Sequence, residues 1–135
     1  MAYIIQNKFP IDTQPDTALG FKIIFNGDAI FVPTYTTKDQ LKQNLINWFL
    51  TNRGERYMNP NFGANLREVI FEGIIEEDLN LLKQRLQNEV NVLFPAVKIM
   101  ELKILQNEDQ NQIRIELTYN VINFGIEDQI ELTLQ

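Results

Sequence analysis

Residues 113–121 read IRIELTYNV, and this run decides the fold class. Ile113, Ile115, Leu117, Tyr119 and Val121 alternate without a break with Arg114, Glu116, Thr118 and Asn120. Side chains on a strand point to opposite faces in turn, so a period of two predicts a strand with one buried and one wet face. Toward the C-terminus, Ile130, Leu132 and Leu134 alternate with Glu131 and Thr133 in a last strand. Toward the N-terminus, residues 97–105 form a third strand that alternates less cleanly. Three such strands predict an antiparallel meander.

Upstream of the meander the apolar period lengthens to that of a helix. Residues 77–94 place Leu79, Leu82, Leu86, Val90 and Leu93 at three- and four-residue spacings. The acids Glu76, Glu77 and Asp78 suit the positive end of its dipole, and Pro95 stops it. A shorter helix over residues 64–71 puts Leu66, Val69 and Ile70 on one side, and Gly73 interrupts it. Further back, Thr37 and Gln40 form a T-x-x-Q capping box that opens a helix carrying Leu41, Leu45, Trp48 and Phe49 on one face. Gly54 fits the left-handed cap that ends it. Residues 21–32 predict a hairpin turning at Asn26-Gly27. Residues 1–19, with Pro10 and Pro15, read as an extended arm, either a mobile terminus or a segment that docks on a neighbour. The expected architecture is α+β in two layers. Helices cover a C-terminal three-stranded antiparallel meander, with an N-terminal arm and β-hairpin. One domain spans 1–135: arm 1–19, hairpin 20–36, helices 37–94 and strands 96–135.

Composition narrows the function. The net charge is −6 and the twelve basic residues are scattered, whereas nucleic-acid binders cluster Lys and Arg against phosphates. Neither a nucleic-acid nor an anionic-membrane role is expected. There is no Cys and no His, which removes thiolate chemistry, the commonest general base and the commonest metal ligand. No catalytic, cofactor or metal residues are expected. No apolar run reaches the ~18 residues of a membrane span, and the first residues lack the features of a signal peptide. The chain reads as soluble and intracellular when made.

Residues 50–73, LTNRGERYMNPNFGANLREVIFEG, set three arginines and three buried-type aromatics among turn formers. Connectors have a median of about four to six residues, and about eleven lie between Asn52 and Ala64. A loop this long and this particular docks on something or holds a site. Asn59-Pro60-Asn61-Phe62 suits a type I turn, with Phe62 expected as an anchor in the core.

The run 45–56, LINWFLTNRGER, followed by Asn59-Pro60-Asn61-Phe62-Gly63, Leu66 and Ile70-Phe71-Glu72, resembles the baseplate wedge family of contractile phage tails. That family is named for gene product 25 of T-even phages, belongs with the gpW group and carries a lysozyme-like label. Its pattern is a helix ending in Leu-Thr, then Gly-Glu-Arg, then Pro-x-Phe-Gly, then a Leu followed by Phe-Glu. Leu50, Thr51, Gly54, Glu55, Arg56, Pro60, Phe62, Gly63, Leu66, Phe71 and Glu72 match it. There is one departure. Members, type VI secretion counterparts included, often carry Glu-Pro-Arg where the long helix meets the meander. Phe94-Pro95-Ala96 stands there in this chain.

The resemblance implies a non-enzymatic baseplate wedge protein in the virion, made in the host cytoplasm and present in multiple copies of a symmetric assembly. Its partners would be other wedge proteins and the tail sheath protein, the sheet starting sheath assembly by accepting a strand. The same edge could instead be covered by the chain's own arm. Candidate partner-binding residues are Arg53, Glu55, Arg56, Phe62, Arg67, Glu72 and Pro95. Surface charge alone also accounts for Glu55 and Arg56. A type VI secretion or other contractile injection baseplate is the alternative within this class. The alternative from another class is a peptidoglycan hydrolase. Glu68 and Glu72, at i and i+4 on one helix, would have β-carbons about 5–6 Å apart, near the spacing of a glycosidase pair. No apolar pocket to keep one of them protonated is evident in the sequence.

Overall fold

The computed structural model describes residues 16–23, 32–72, 76–110, 112–122 and 125–134, with backbone alone at 70–72, 76, 77, 108 and 126. The backbone groups into two compact units, Met1–Asn47 and Trp48–Gln135.

In the first unit, β1 (Gly20–Phe21) pairs antiparallel with β2 (Pro33–Thr34). Leu19 N–H donates to Thr34 O at 2.8 Å, and Lys22 N–H to Val32 O at 2.8 Å, extending the ladder at both ends. These are the feet of the expected hairpin. Its Asn26-Gly27 turn, like the arm before residue 16, lies outside the described residues. Helix α1 (Thr37–Leu50) follows. Its cap sits one residue earlier than the capping box predicted. Thr36 Oγ1 accepts from Asp39 N–H at 3.2 Å, and its hydroxyl donates to the Asp39 carboxylate at 2.8 Å. Gln40 is engaged elsewhere. Its Oε1 accepts from the buried Thr34 hydroxyl at 2.8 Å, and its amide donates to Asn44 at 3.0 Å. Gln43 Oε1 accepts from Ile23 N–H at 3.0 Å, so two helix glutamines hold the hairpin by its polar groups.

In the second unit the C-terminal turn of α1 contributes Trp48 and Phe49, both buried, their rings edge to face at 5.0 Å. The 51–65 loop leads to α2 (Leu66–Glu72) and then α3 (Glu76–Leu93). Leu82, Leu86 and Val90 form the buried face of α3, which packs against β3 (Val97–Asn107). Leu93, expected in that stripe, is 43% exposed where the helix ends. The chain then turns through Phe94-Pro95-Ala96, with Val97 N–H donating to Phe94 O at 2.9 Å.

After a 3₁₀ turn at Glu108–Gln110 come β4 (Gln112–Val121) and β5 (Ile126–Leu134). The sheet is antiparallel in the order β3-β4-β5. Ile113, Ile115, Leu117, Tyr119 and Val121 are all within 1% of full burial, as their alternation predicted. Opposite them on the same face lie Ile130, Leu132 and Leu134. The poor alternation of the first strand has a physical cause. Ile99 pairs with Tyr119 and Glu101 with Thr118, leaving Met100 as a bulge. The extra residue flips the side-chain parity, so Val97 faces the core before it and Leu102 after it.

A pinned loop as the candidate docking site

The loop over residues 51–65 starts from a helix end whose last carbonyls need donors. Trp48 O accepts two amides, from Thr51 at 3.4 Å and from Ala64 at 3.0 Å, while Asn65 N–H reaches Thr51 O at 3.4 Å. The strand leaving α1 and the strand entering α2 are thereby cross-linked, as in an Ω-loop. At that pinch Gly63 has φ +126°, a value that L side chains rarely adopt. A Cβ there would lie 2.9 Å from the Thr51 carbonyl carbon and closer still to its oxygen. The seam is dry, with Thr51, Gly63 and Ala64 buried.

Beyond the seam the chain makes three successive reverse turns. Glu55 N–H donates to Asn52 O at 3.3 Å, Asn59 N–H to Arg56 O at 3.3 Å, and Phe62 N–H to Asn59 O at 3.1 Å. The third is the turn that Asn59-Pro60-Asn61-Phe62 predicted. Gly54 belongs to the first turn. It lies four residues past the end of α1 with φ +87°, so it is a turn glycine and not the helix cap expected. Its N–H crosses the loop to Pro60 O at 2.7 Å and ties the first turn to the third.

Side chains complete the loop. The Glu55 carboxylate accepts from Asn52 N–H at 3.1 Å and from Asn52 Nδ2 at 2.9 Å. The Arg56 guanidinium lies 3.8 Å above the centre of the Phe62 ring. Phe62 is therefore half-buried under an arginine and does not enter the core as expected. Two contacts reach α3. Arg53 pairs with Glu89, and Arg85 Nη2 donates to Ala64 O at 2.7 Å. Glu89 also sits 3.9 Å from Arg85 Nε, so one carboxylate serves an arginine from the loop and one from the helix.

The predicted site residues thus divide. Arg53, Glu55, Arg56 and Phe62 come together in the loop. Arg67 is exposed on α2 and makes no hydrogen bond or ion pair among the described residues. Glu72 ends α2, and its side chain lies outside the described residues. Pro95 is exposed in the turn between α3 and β3, outside the loop. Four residues escaped the sequence reading. Arg85 and Glu89 carried a faint signal as an i, i+4 pair on a helix. Tyr57, counted among the buried-type aromatics, gave a misleading one: it is 99% exposed at the loop tip, as is Met58 beside it at 94%.

As for the hydrolase pair, Glu68 is exposed and accepts a hydrogen bond from Asn65 at the start of α2. Two open cavities lie elsewhere: one of about 240 Å³ at the far end of the sheet beside Arg114 and Thr133, one of about 380 Å³ between α3 and β3. Neither is lined by Glu68. Among the described residues no three Asp or Glu gather as a metal site, and no helix is long and apolar enough to cross a membrane.

Comparison with known proteins extends the pattern of the loop to most of the chain. The baseplate wedge protein gp25 of Enterobacteria phage T4 is 22% identical over 95 residues, covering 70% of this chain and 72% of that protein. Two solved structures share the fold. One is a Geobacter sulfurreducens protein provisionally named a tail lysozyme, at TM-score 0.63 and 16% identity, covering 82% of this chain and 95% of that one. The other is a chain of the anti-feeding prophage baseplate, at TM-score 0.60 and 23% identity, covering 76% of this chain and 84% of that one. The model of the family Baseplate wedge protein gp25 matches residues 36–131, which takes in the loop, both following helices and nearly all of the sheet, and the chain belongs to that family.

Proposed function

We propose that this chain is a structural, non-enzymatic component of the baseplate wedge of a contractile phage tail. In this reading the 51–65 loop docks on other wedge proteins, and the sheet receives a strand from the first ring of sheath. The family match over residues 36–131 carries the first part. The sheet edges support the second. On β3 the edge is broken by the Met100 bulge and carries Lys98 and Lys103, features that discourage strand addition. On β5 all nine residues pair with β4 without a register shift, and no strand covers the far side among the described residues. A regular edge of this kind offers backbone groups to an incoming strand while alternate side chains set its register.

A reconstruction of the assembled tail tests this directly. The expected result is this chain in the baseplate with a sheath strand about 4.8 Å from β5. A β5 edge left bare, or covered by the chain's own N-terminal residues, overturns strand addition. The likeness to an anti-feeding prophage baseplate favours one second reading, a baseplate component of a contractile injection particle, which the particle's identity would decide. Clearing of a cell-wall suspension by wild type but not by Glu68→Gln would overturn the non-enzymatic reading.

A further inference from the structure

The loop tip presents Tyr57 and Met58 almost completely to solvent on a backbone fixed by hydrogen bonds. They occupy the two central positions of the turn closed by Asn59 N–H and Arg56 O, inside a loop fastened by the Gly54–Pro60 bond, the Trp48 carbonyl and the Arg53–Glu89 pair. A backbone already fixed by hydrogen bonds spares the cost of ordering the loop on binding, and Tyr and Met are enriched at protein interfaces. Beside them the Arg56 guanidinium is oriented by the Phe62 ring and has no carboxylate or carbonyl partner among the described residues. Its donors face solvent and are open to a partner, and a planar guanidinium is best matched by a carboxylate.

We infer that Tyr57 and Met58 form a plug that enters an apolar pocket on a different baseplate protein, with Arg56 pairing a carboxylate at the rim of that pocket. This rests on the baseplate reading for the location of the partner alone. Charge argues for a different chain and against a second copy. Residues 51–65 hold two arginines and one glutamate, but the whole chain is at −6, so two copies repel.

The test co-expresses wild type and Tyr57→Ala/Met58→Ala under different tags in the tail-producing host and measures their ratio in purified tails against the lysate. We expect at least tenfold depletion of the variant, with an unchanged melting temperature for the free chain. Met100→Ala, at an apolar residue 57% exposed on the bulged β3 edge, is expected to keep a ratio near one. Arg56→Glu is expected to be depleted to a similar degree. Photocrosslinking from p-benzoyl-phenylalanine placed at position 57 then identifies the pocket. A crosslink to another baseplate chain beside an Asp or Glu supports the inference. A ratio near one for the double variant, or a crosslink to a second copy of this chain, overturns it while leaving the baseplate reading intact. Absence of the wild-type chain from tails overturns both.

Discussion

The β3–β4–β5 sheet repeats one kind of contact along three strands, whereas the 51–65 loop makes each of its contacts once. In the sheet a lost hydrogen bond is one rung among many, and the stabilising quantity is the apolar face buried at Ile113, Ile115, Leu117 and Tyr119. In the loop a single glycine, one arginine and one shared carbonyl each fix a different part of the path. The sheet should therefore fail as a whole and through volume, the loop locally and through geometry.

Five substitutions press on that contrast. Leu117→Ala, at the centre of the sheet, should cost about 4 kcal/mol and shift the whole urea transition, because it opens a cavity in a fully buried layer. Gly63→Ala should cost about 3 kcal/mol, since both the backbone angle and the Thr51 carbonyl oppose a Cβ. Its signature should be lost protection of the Ala64 and Asn65 amides in hydrogen exchange before any loss in the sheet. Arg85→Leu should cost about 2 kcal/mol by leaving the carbonyl of fully buried Ala64 without its donor. Gly54→Ala should cost only about 1 kcal/mol, because its φ is positive but the space around it is open. Thermal melting of the two glycine variants side by side separates crowding from backbone strain. Tyr57→Ser should change the melting of the free chain by less than about 0.5 kcal/mol, since the side chain touches almost nothing. Equal costs at Gly54 and Gly63 would mean that crowding against the Thr51 carbonyl adds nothing to backbone strain in the loop.

The same contrast explains what could be read in advance. A strand buried on one face writes its structure into every second residue, so β4 and the end of β5 were legible to the residue. The first strand was not, because the Met100 bulge changes the parity midway and a sequence does not mark where. At the start of α1, Thr36 and Thr37 each have a capping partner three residues on. The choice falls to Thr36 because Gln40 bonds Thr34, a contact outside the helix. In the loop the turn residues announced turns but not which glycine served which. The Arg53–Glu89 pair spans 36 positions, beyond any local pattern. Tyr57 was misread because aromatic character is evidence of burial only on average, and an exposed loop tip is where the average fails.

Trp48 gives the molecule an optical gauge of its own loop. It is the one tryptophan in the chain, its indole is fully buried with Nε1 unpaired among the described residues, and its carbonyl is the point where the loop is stitched shut. Loosening of the seam would bring water to that ring before the sheet melts. The emission of the chain would then shift to longer wavelength ahead of the circular dichroism change.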